Sequence, residues 1–335
     1  MNSYEFGKTS DGRTVNAYII ENINGIRVEF LDFGCILRQF WVPKADDSYV
    51  NIVHGLDSVA EYEADTCCFG AFVGRFANRI KDSEFLLGDQ RIRLTPNDGP
   101  NHLHGVWCKK IFDAAPLPAK TLEESSKGIV FTYHSPDGED GFPGGVDVKV
   151  TYVLDDENVL HMDYEAVPDQ DTVMNLTNHS YFHLGAGQTV QVNADRYLET
   201  DSAVIPTGRI LSVEDPEVMD LREGKDVELS CPDSGCFDHC FILNRDTEFD
   251  PQAPLRIPEQ PDVVLHAPGR GITLEIRTSE PSVQIYSGNS AGVAVEPQMY
   301  PCAPNFPEFP SCLVKKGQRK RCTSLYRIRV SDEIR

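Results

Sequence analysis

Period-two alternation of apolar and polar residues dominates the chain. Val146, Val148, Val150 and Tyr152 alternate with Asp147, Lys149 and Thr151; after the turn Asp155-Asp156-Glu157-Asn158, Leu160, Met162, Tyr164 and Ala166 alternate with His161, Asp163 and Glu165. Successive side chains of a strand point to opposite faces, so this stretch predicts an antiparallel hairpin with one buried face. The same alternation predicts strands at 85–87 and 92–94 about the Gly88-Asp89 turn, along Ile272, Leu274 and Ile276, and along Tyr326, Ile328 and Val330. Asp11-Gly12, Asn24-Gly25, Asp98-Gly99 and Asp137-Gly138 read as turns between strands. Helical periodicity is scarce: one short helix is expected near Ser58-Val59-Ala60-Glu61-Tyr62, capped by Asp57 or Ser58. The expected fold is all-β, a large antiparallel β-sandwich with very little helix. No fixed-period repeat, low-complexity tract or Gly/Ser-rich linker interrupts it, so residues 1–335 are expected to form a single domain.

Charge narrows the partners. The chain has 52 acidic and 31 basic residues among 335, a formal charge of −21. Such a surface repels phosphate backbones and anionic lipid, which argues against nucleic acid and membrane as partners. No apolar run approaches the roughly 20 residues of a membrane span. The start, MNSYEFGKTSDGRTVNAY, lacks the apolar core of a secretory signal, so a cytoplasmic protein is expected. The ten cysteines contain no C-x-x-C pair and are expected to be reduced, largely buried thiols.

Several short patterns carry candidate chemistry. Gly288-Asn289-Ser290-Ala291-Gly292 matches the nucleophile-elbow spacing, but the β-branched Val293 and Val295 and then Pro297 follow where an elbow requires a helix. Cys231, Cys236, His239 and Cys240 supply soft ligands without any paired zinc spacing. Asn175-Leu176-Thr177 and Asn178-His179-Ser180 satisfy the glycosylation sequon, which without a secretory signal is accidental. His102 and His104 are two apart, so on an extended segment both are expected on one face; His179 and His183 lie in a strand running into a Gly-Ala-Gly loop.

Five segments together resemble the aldose 1-epimerase (galactose mutarotase) family: Gly74-Arg75-Phe76-Ala77-Asn78-Arg79-Ile80, Asn101-His102-Leu103-His104-Gly105, Asn178-His179-Ser180-Tyr181-Phe182, Phe237-Asp238-His239 and Glu296-Pro297-Gln298. The resemblance runs from about residue 30 to the C-terminus. It implies a large antiparallel sandwich, His179 as general acid and Glu296 as general base. It also implies that Asn78, Arg79, His104, Asp238 and Gln284 hold the hydroxyls of a free aldose such as galactose or glucose, with no cofactor and no metal. Three positions depart from the family pattern: His183 stands where asparagine is usual, Val106 where a second glycine follows the histidine, and Cys302 where aspartate precedes Ala-Pro-Asn.

The residue types suit that chemistry. Interconverting anomers opens the pyranose ring, so one proton leaves the C1 hydroxyl while another reaches the ring oxygen, and a carboxylate with an imidazolium can exchange both. Ordinary pKa values of about 4.3 and 6.5 leave Glu ionised and His partly protonated at neutral pH, and an acid such as Asp238 is expected to raise His179 further. Arg79 also has a purely structural reading as an ion pair with one of the many acids. Two other functions fit the same residues: a glycoside hydrolase using Asp238 and Glu296, and a non-catalytic sugar-binding protein.

Overall fold

The computed structural model describes residues 1–44, 48–117, 127–227, 235–245, 249 and 256–331. Three large antiparallel sheets and four two-stranded ones form among the described residues. A five-stranded meander follows chain order through Asn2–Lys8, Thr14–Glu21, Arg27–Leu31, Leu37–Pro43 and Tyr49–Asn51. An eight-stranded sheet is ordered Asp113–Pro116, Lys127–Ser135, Val146–Leu154, Val159–Pro168, Lys320–Val330, Ile272–Thr278, Val263–Ala267 and Thr189–Val192. A six-stranded sheet is ordered Tyr181–Phe182, Val293–Gln298, Ser282–Tyr286, Asp238–Ile242, Arg196–Thr200 and Pro206–Ser212.

The alternation read from the sequence produces this arrangement. Val146–Leu154 pairs with Val159–Pro168, with Val150 opposite Tyr164, and Val146, Val150, Leu160 and Met162 are buried. The strand Lys320–Val330 inserts between Val159–Pro168 and Ile272–Thr278, carrying Tyr326 and Ile328 inward. Val330, at the strand's end, is 36% exposed, so the last expected core position lies beyond the cover of the facing layer. One apolar cluster draws on all three large sheets: Phe30 and Phe40 from the first, Phe131, Val150 and Leu274 from the second, Val283, Ile285 and Val295 from the third. Phe30 stacks on Tyr152 with ring centroids 4.4 Å apart, joining two sheets. Truncating such a buried aromatic costs roughly 3–5 kcal/mol.

The expected helix is Val59–Ala64, and its cap is Ser58 rather than Asp57. The Ser58 hydroxyl accepts the Glu61 N–H at 3.2 Å while the Glu61 carboxylate accepts the Asp57 N–H at 2.9 Å, a reciprocal cap. Val59 and Tyr62 are its buried residues, and the helix leads directly into the loop 65–70. Among the described residues no helix is long and apolar enough to cross a membrane.

The six-stranded sheet has two different faces. Val283, Ile285, Val293, Val295 and Phe241 enter the main core. Cys240, Gln284, Glu296 and Gln298 occupy the opposite face of the same strands and are also buried. A polar face kept from water is costly unless its groups are used, and it marks where chemistry is to be sought.

Candidate active site

Strand register sets the first row of side chains. Gln284 lies opposite both Cys240 and Glu296, while Tyr286 lies opposite Asp238 and Ala294, and Ala294 faces Tyr181. Directly opposed residues share a face, so Asp238, Tyr286, Tyr181, Gln284 and Glu296 all project to one side.

His179 reaches that side from a different segment. Thr177–Asn178 pairs with Phe72–Val73, and both backbone groups of His179 are held: its N–H donates to the Ala71 carbonyl at 2.8 Å and its carbonyl accepts the Gly70 N–H at 3.0 Å. The Asn178 side chain donates to the Gly70 carbonyl at 2.8 Å, tightening the same contact. The imidazole stacks on Tyr181 at 5.0 Å and 23°, and meets the His104 ring edge-on at 5.1 Å. Its Nε2 lies 3.4 Å from Glu296 Oε1, and both side chains are almost fully buried.

Asn175, four residues earlier, knits the segments together. Its amide donates to the carbonyls of Ala77 at 2.8 Å and Met299 at 3.3 Å and accepts the Met299 N–H at 2.8 Å. One buried side chain therefore joins the segment leading to Arg79, the segment leading to His179 and the residue just past Glu296-Pro297-Gln298.

The third contribution comes from the short pair Arg79–Ile80 with His102–Leu103. Asn78 adopts a left-handed backbone, φ 66°, and its N–H donates to His104 Nδ1 at 3.1 Å. An accepting Nδ1 leaves the hydrogen of the neutral ring on Nε2, so His104 presents a donor. Arg79 Nε donates to Asp98 at 2.7 Å, and its Nη1 lies 3.7 Å from Asp238 Oδ2. Arg79 thus makes a structural ion pair with Asp98 and also lines the cavity.

These elements enclose a cavity of about 170 Å³. At roughly 10–15 Å³ per water-sized group, that is room on the order of ten such groups, the scale of one pyranose. Asn78, Arg79, His104, His179, Asp238 and Glu296 line it. Gln284 does not; it sits behind, its Nε2 donating to Asp238 Oδ1 at 2.6 Å. Thr66, Cys67, Tyr181 and Tyr286 also line the cavity and were not singled out as sugar contacts from sequence. Period-two alternation next to His179 was the available signal for Tyr181; for Thr66 and Cys67 there was none, because they lie in a loop.

Electrostatics correct one expectation. Burial pushes His179 down to about 4, and burial followed by the Asp238 charge pushes Glu296 well above the carboxylate range, with Arg79 opposing. Asp238 therefore acts on Glu296 and not on His179, whose shift is governed by its burial. Burial therefore favours the neutral forms of both groups. His104 is pushed well down too, first by burial and then by repulsion from any charge on His179 and from the Arg79 guanidinium. His104, His179 and Glu296 bring potential metal-ligating atoms within 4.8 Å of one another. The hydrogen on His104 Nε2 opposes ligation there, since that nitrogen's lone pair is free only if the Asn78 contact breaks.

Other sequence expectations resolve differently. His102 and His104 do not share a face: His104 turns into a left-handed backbone, φ 64°, and His102 is buried against Phe142 with Nδ1 2.8 Å from the Thr95 carbonyl. His183 is exposed and lies outside the cavity; Val106 packs on the main core. Cys302 is buried, and its N–H donates to the Arg79 carbonyl at 2.7 Å, so the proline-rich loop supports the Arg79 segment. Ser290 is exposed and the strand Val293–Gln298 follows it, which excludes the elbow. Cys231 lies outside the described residues; none of the nine described cysteines is in a disulfide. Asn175 and Asn178 are 0% and 2% exposed.

Comparison with known proteins places the chain in a family. Residues 16–327 match the family model described as aldose 1-epimerase. The chain is 35% identical to galactose mutarotase of Sus scrofa, covering 96% of each chain, and 33% identical to aldose 1-epimerase of Haemophilus influenzae, covering 89% of this chain and 91% of that one. Its fold is similar to the crystal structure of galactose 1-epimerase from Lactobacillus acidophilus, with a TM-score of 0.84 at 25% identity over 98% of both chains. It is similar also to an aldose epimerase homologue from C. elegans, with a TM-score of 0.83 at 26% identity over 94% of this chain and all of that one.

Proposed function

Since the chain belongs to the aldose 1-epimerase family and is an isomerase, we propose that it interconverts the α and β anomers of free aldohexoses such as galactose and glucose. The observation that carries this reading is the pairing of His179 Nε2 and Glu296 Oε1, 3.4 Å apart beside one sugar-sized cavity. Glu296 takes the proton of the C1 hydroxyl while His179 gives one to the ring oxygen; rotation about C1–C2 and the reverse transfers close the other anomer. The pair resets itself, and no cofactor enters the cycle.

The resting pair needs only one internal change to do this. Burial favours the pair's single proton on Glu296, and it must lie on His179 for the reaction, a shift that leaves the net charge unchanged. Sugar hydroxyls that donate to the Glu296 carboxylate favour its ionised form and so drive the shift on binding. The His104 Nε2 hydrogen, the Arg79 guanidinium, Asn78 and the Asp238 carboxylate orient the remaining hydroxyls, while Gln284 and Arg79 fix Asp238. A neutral sugar suits a chain of charge −21, and we place the protein in the cytoplasm, acting without nucleic acid or membrane.

Glu296→Gln and His179→Gln test the assignment by polarimetry of freshly dissolved α-D-galactose and α-D-glucose. Each variant is expected to lose about 10²–10⁴-fold in enzymatic mutarotation. An undiminished rate in either removes that residue from the mechanism.

A further inference from the structure

Two thiols meet beside the pocket-lining residue Cys67. Cys68 Sγ lies 3.4 Å from Cys108 Sγ, although 40 positions separate them in the chain. They come together because the loop 65–70 packs against the short 3₁₀ turn Trp107–Lys109 that follows His104. Lys109 ties the two sides, its Nζ donating to the carbonyls of Tyr62 and Asp65. An ammonium group beside a thiol favours the nucleophilic thiolate. Cys108 is pushed down first by the hydrogen bond from Cys68, with burial opposing, and then by the Lys109 charge.

We propose that Cys68 and Cys108 are a redox modification site: a hydroperoxide oxidises them to a reversible disulfide, and the bond displaces the loop that holds His179. The Cys108 thiolate attacks the peroxide oxygen, giving a sulfenic acid and releasing the other oxygen as water or alcohol. Cys68 then attacks that sulfur and expels water. Both thiols are oxidised, the peroxide takes their two electrons and both protons, and no further reactant is needed.

Both thiols are buried, and the two sides of the pair are held in different ways. Cys108 is fixed by its surroundings: the Gly34 N–H donates to the Lys110 carbonyl at 2.7 Å and the Trp107 N–H to the Gly74 carbonyl at 3.1 Å. Gly34, at φ +61°, lies so close that a Cβ there would come within 2.4 Å of the Cys108 carbonyl oxygen. Cys68 lies in a loop, itself at φ 53°, whose turn is held by Asp65 accepting the N–H groups of Cys67 and Phe69. Bond formation shortens the sulfur separation from 3.4 Å to about 2.05 Å. The Cys68 side chain and the loop that carries it share that approach with Cys108. Two residues on, Gly70 and Ala71 make the hydrogen bonds that fix both backbone groups of His179. A pull there is transmitted to the 3.4 Å separation between His179 and Glu296, and a misplacement of about 1 Å can cost on the order of 100-fold in rate.

The effect on rate rests on His179 being the acid, whereas the disulfide itself does not, so the test reads them separately. The full chain is titrated with hydrogen peroxide, digested without reduction and mapped by mass spectrometry, with polarimetry on the same samples. A Cys68–Cys108 linked peptide is expected, appearing in proportion to a loss of up to about 100-fold in mutarotation rate that dithiothreitol reverses. Cys108→Ser is expected to keep its rate through the same treatment. Absence of the linked peptide, linkage through Cys67 instead, or an equal loss in Cys108→Ser overturns the proposal. Linked protein with a full rate overturns the displacement of the loop, and His179→Gln then reports independently on the acid assignment.

Discussion

Glu296→Gln should alter how stability depends on pH, independently of its effect on rate. Glu296 is 2% exposed and its carboxyl is held well above the ordinary range, first by burial and then by Asp238. In the unfolded chain the same group titrates near about 4.3. Between those two values the folded protein keeps a proton that the unfolded chain has released, so the folded state binds more protons and loses stability as pH rises. The slope is about 1.4 kcal/mol per pH unit for one proton. Glutamine has nearly the same shape and no titration. His179, whose depressed pKa works in the opposite direction, is present in both proteins and cancels in their difference. The stability of wild type relative to Glu296→Gln is therefore expected to fall by about 1.4 kcal/mol for each unit from roughly pH 4.5 to the folded pKa. Urea titrations of both proteins at closely spaced pH values and constant ionic strength, with matching m-values, measure this directly. Parallel stability curves would show that Glu296 is ionised when folded and would refute the burial argument.

Two further outcomes follow from the same geometry. The enzymatic rate should form a bell in pH whose acid limb lies near 4, the value to which burial pushes His179, because below it the pair carries two protons and the base is lost. A limb centred near the free-histidine value of about 6.5 in initial-rate polarimetry would contradict it. Asn175→Ala should cost roughly 3–5 kcal/mol, since it deletes three side-chain hydrogen bonds and strands the backbone groups of Ala77 and Met299. Thermal unfolding followed by circular dichroism would show it, and a loss below about 1 kcal/mol would mean those bonds are dispensable.

Much of the fold was legible because alternation records which face of a strand is covered, as in 146–152 and 160–166. The cavity-lining positions were legible as motif matches, and the cavity brings six of the seven named residues to its wall. What failed did so where tertiary context overrides a local rule. His102 and His104 parted because one left-handed residue ends the strand; Gln284 faces the right side but lies behind Asp238, a depth that periodicity does not encode. The protonation of His179 and Glu296 was misread because pKa follows burial, which depends on segments far apart in sequence. Thr66, Cys67 and the contact between Cys68 and Cys108 belong to a loop whose path is set by the helix cap before it and by the turn after His104.

The burial of Asn175 and Asn178 bears on how the protein can be produced. A glycosylating host modifies sequons on the emerging chain, before folding decides which side chains will be covered. Both asparagines end at 2% exposure or less, with their side-chain amides committed to backbone carbonyls. An oligosaccharide on either would have no place in the finished molecule, and a secreted preparation would accumulate chains unable to close around their own active site. Replacing Thr177 and Ser180 is a poor remedy, since both are buried and the Ser180 hydroxyl hydrogen-bonds Asn178. Expression where no oligosaccharide is attached avoids the conflict without touching the sequence.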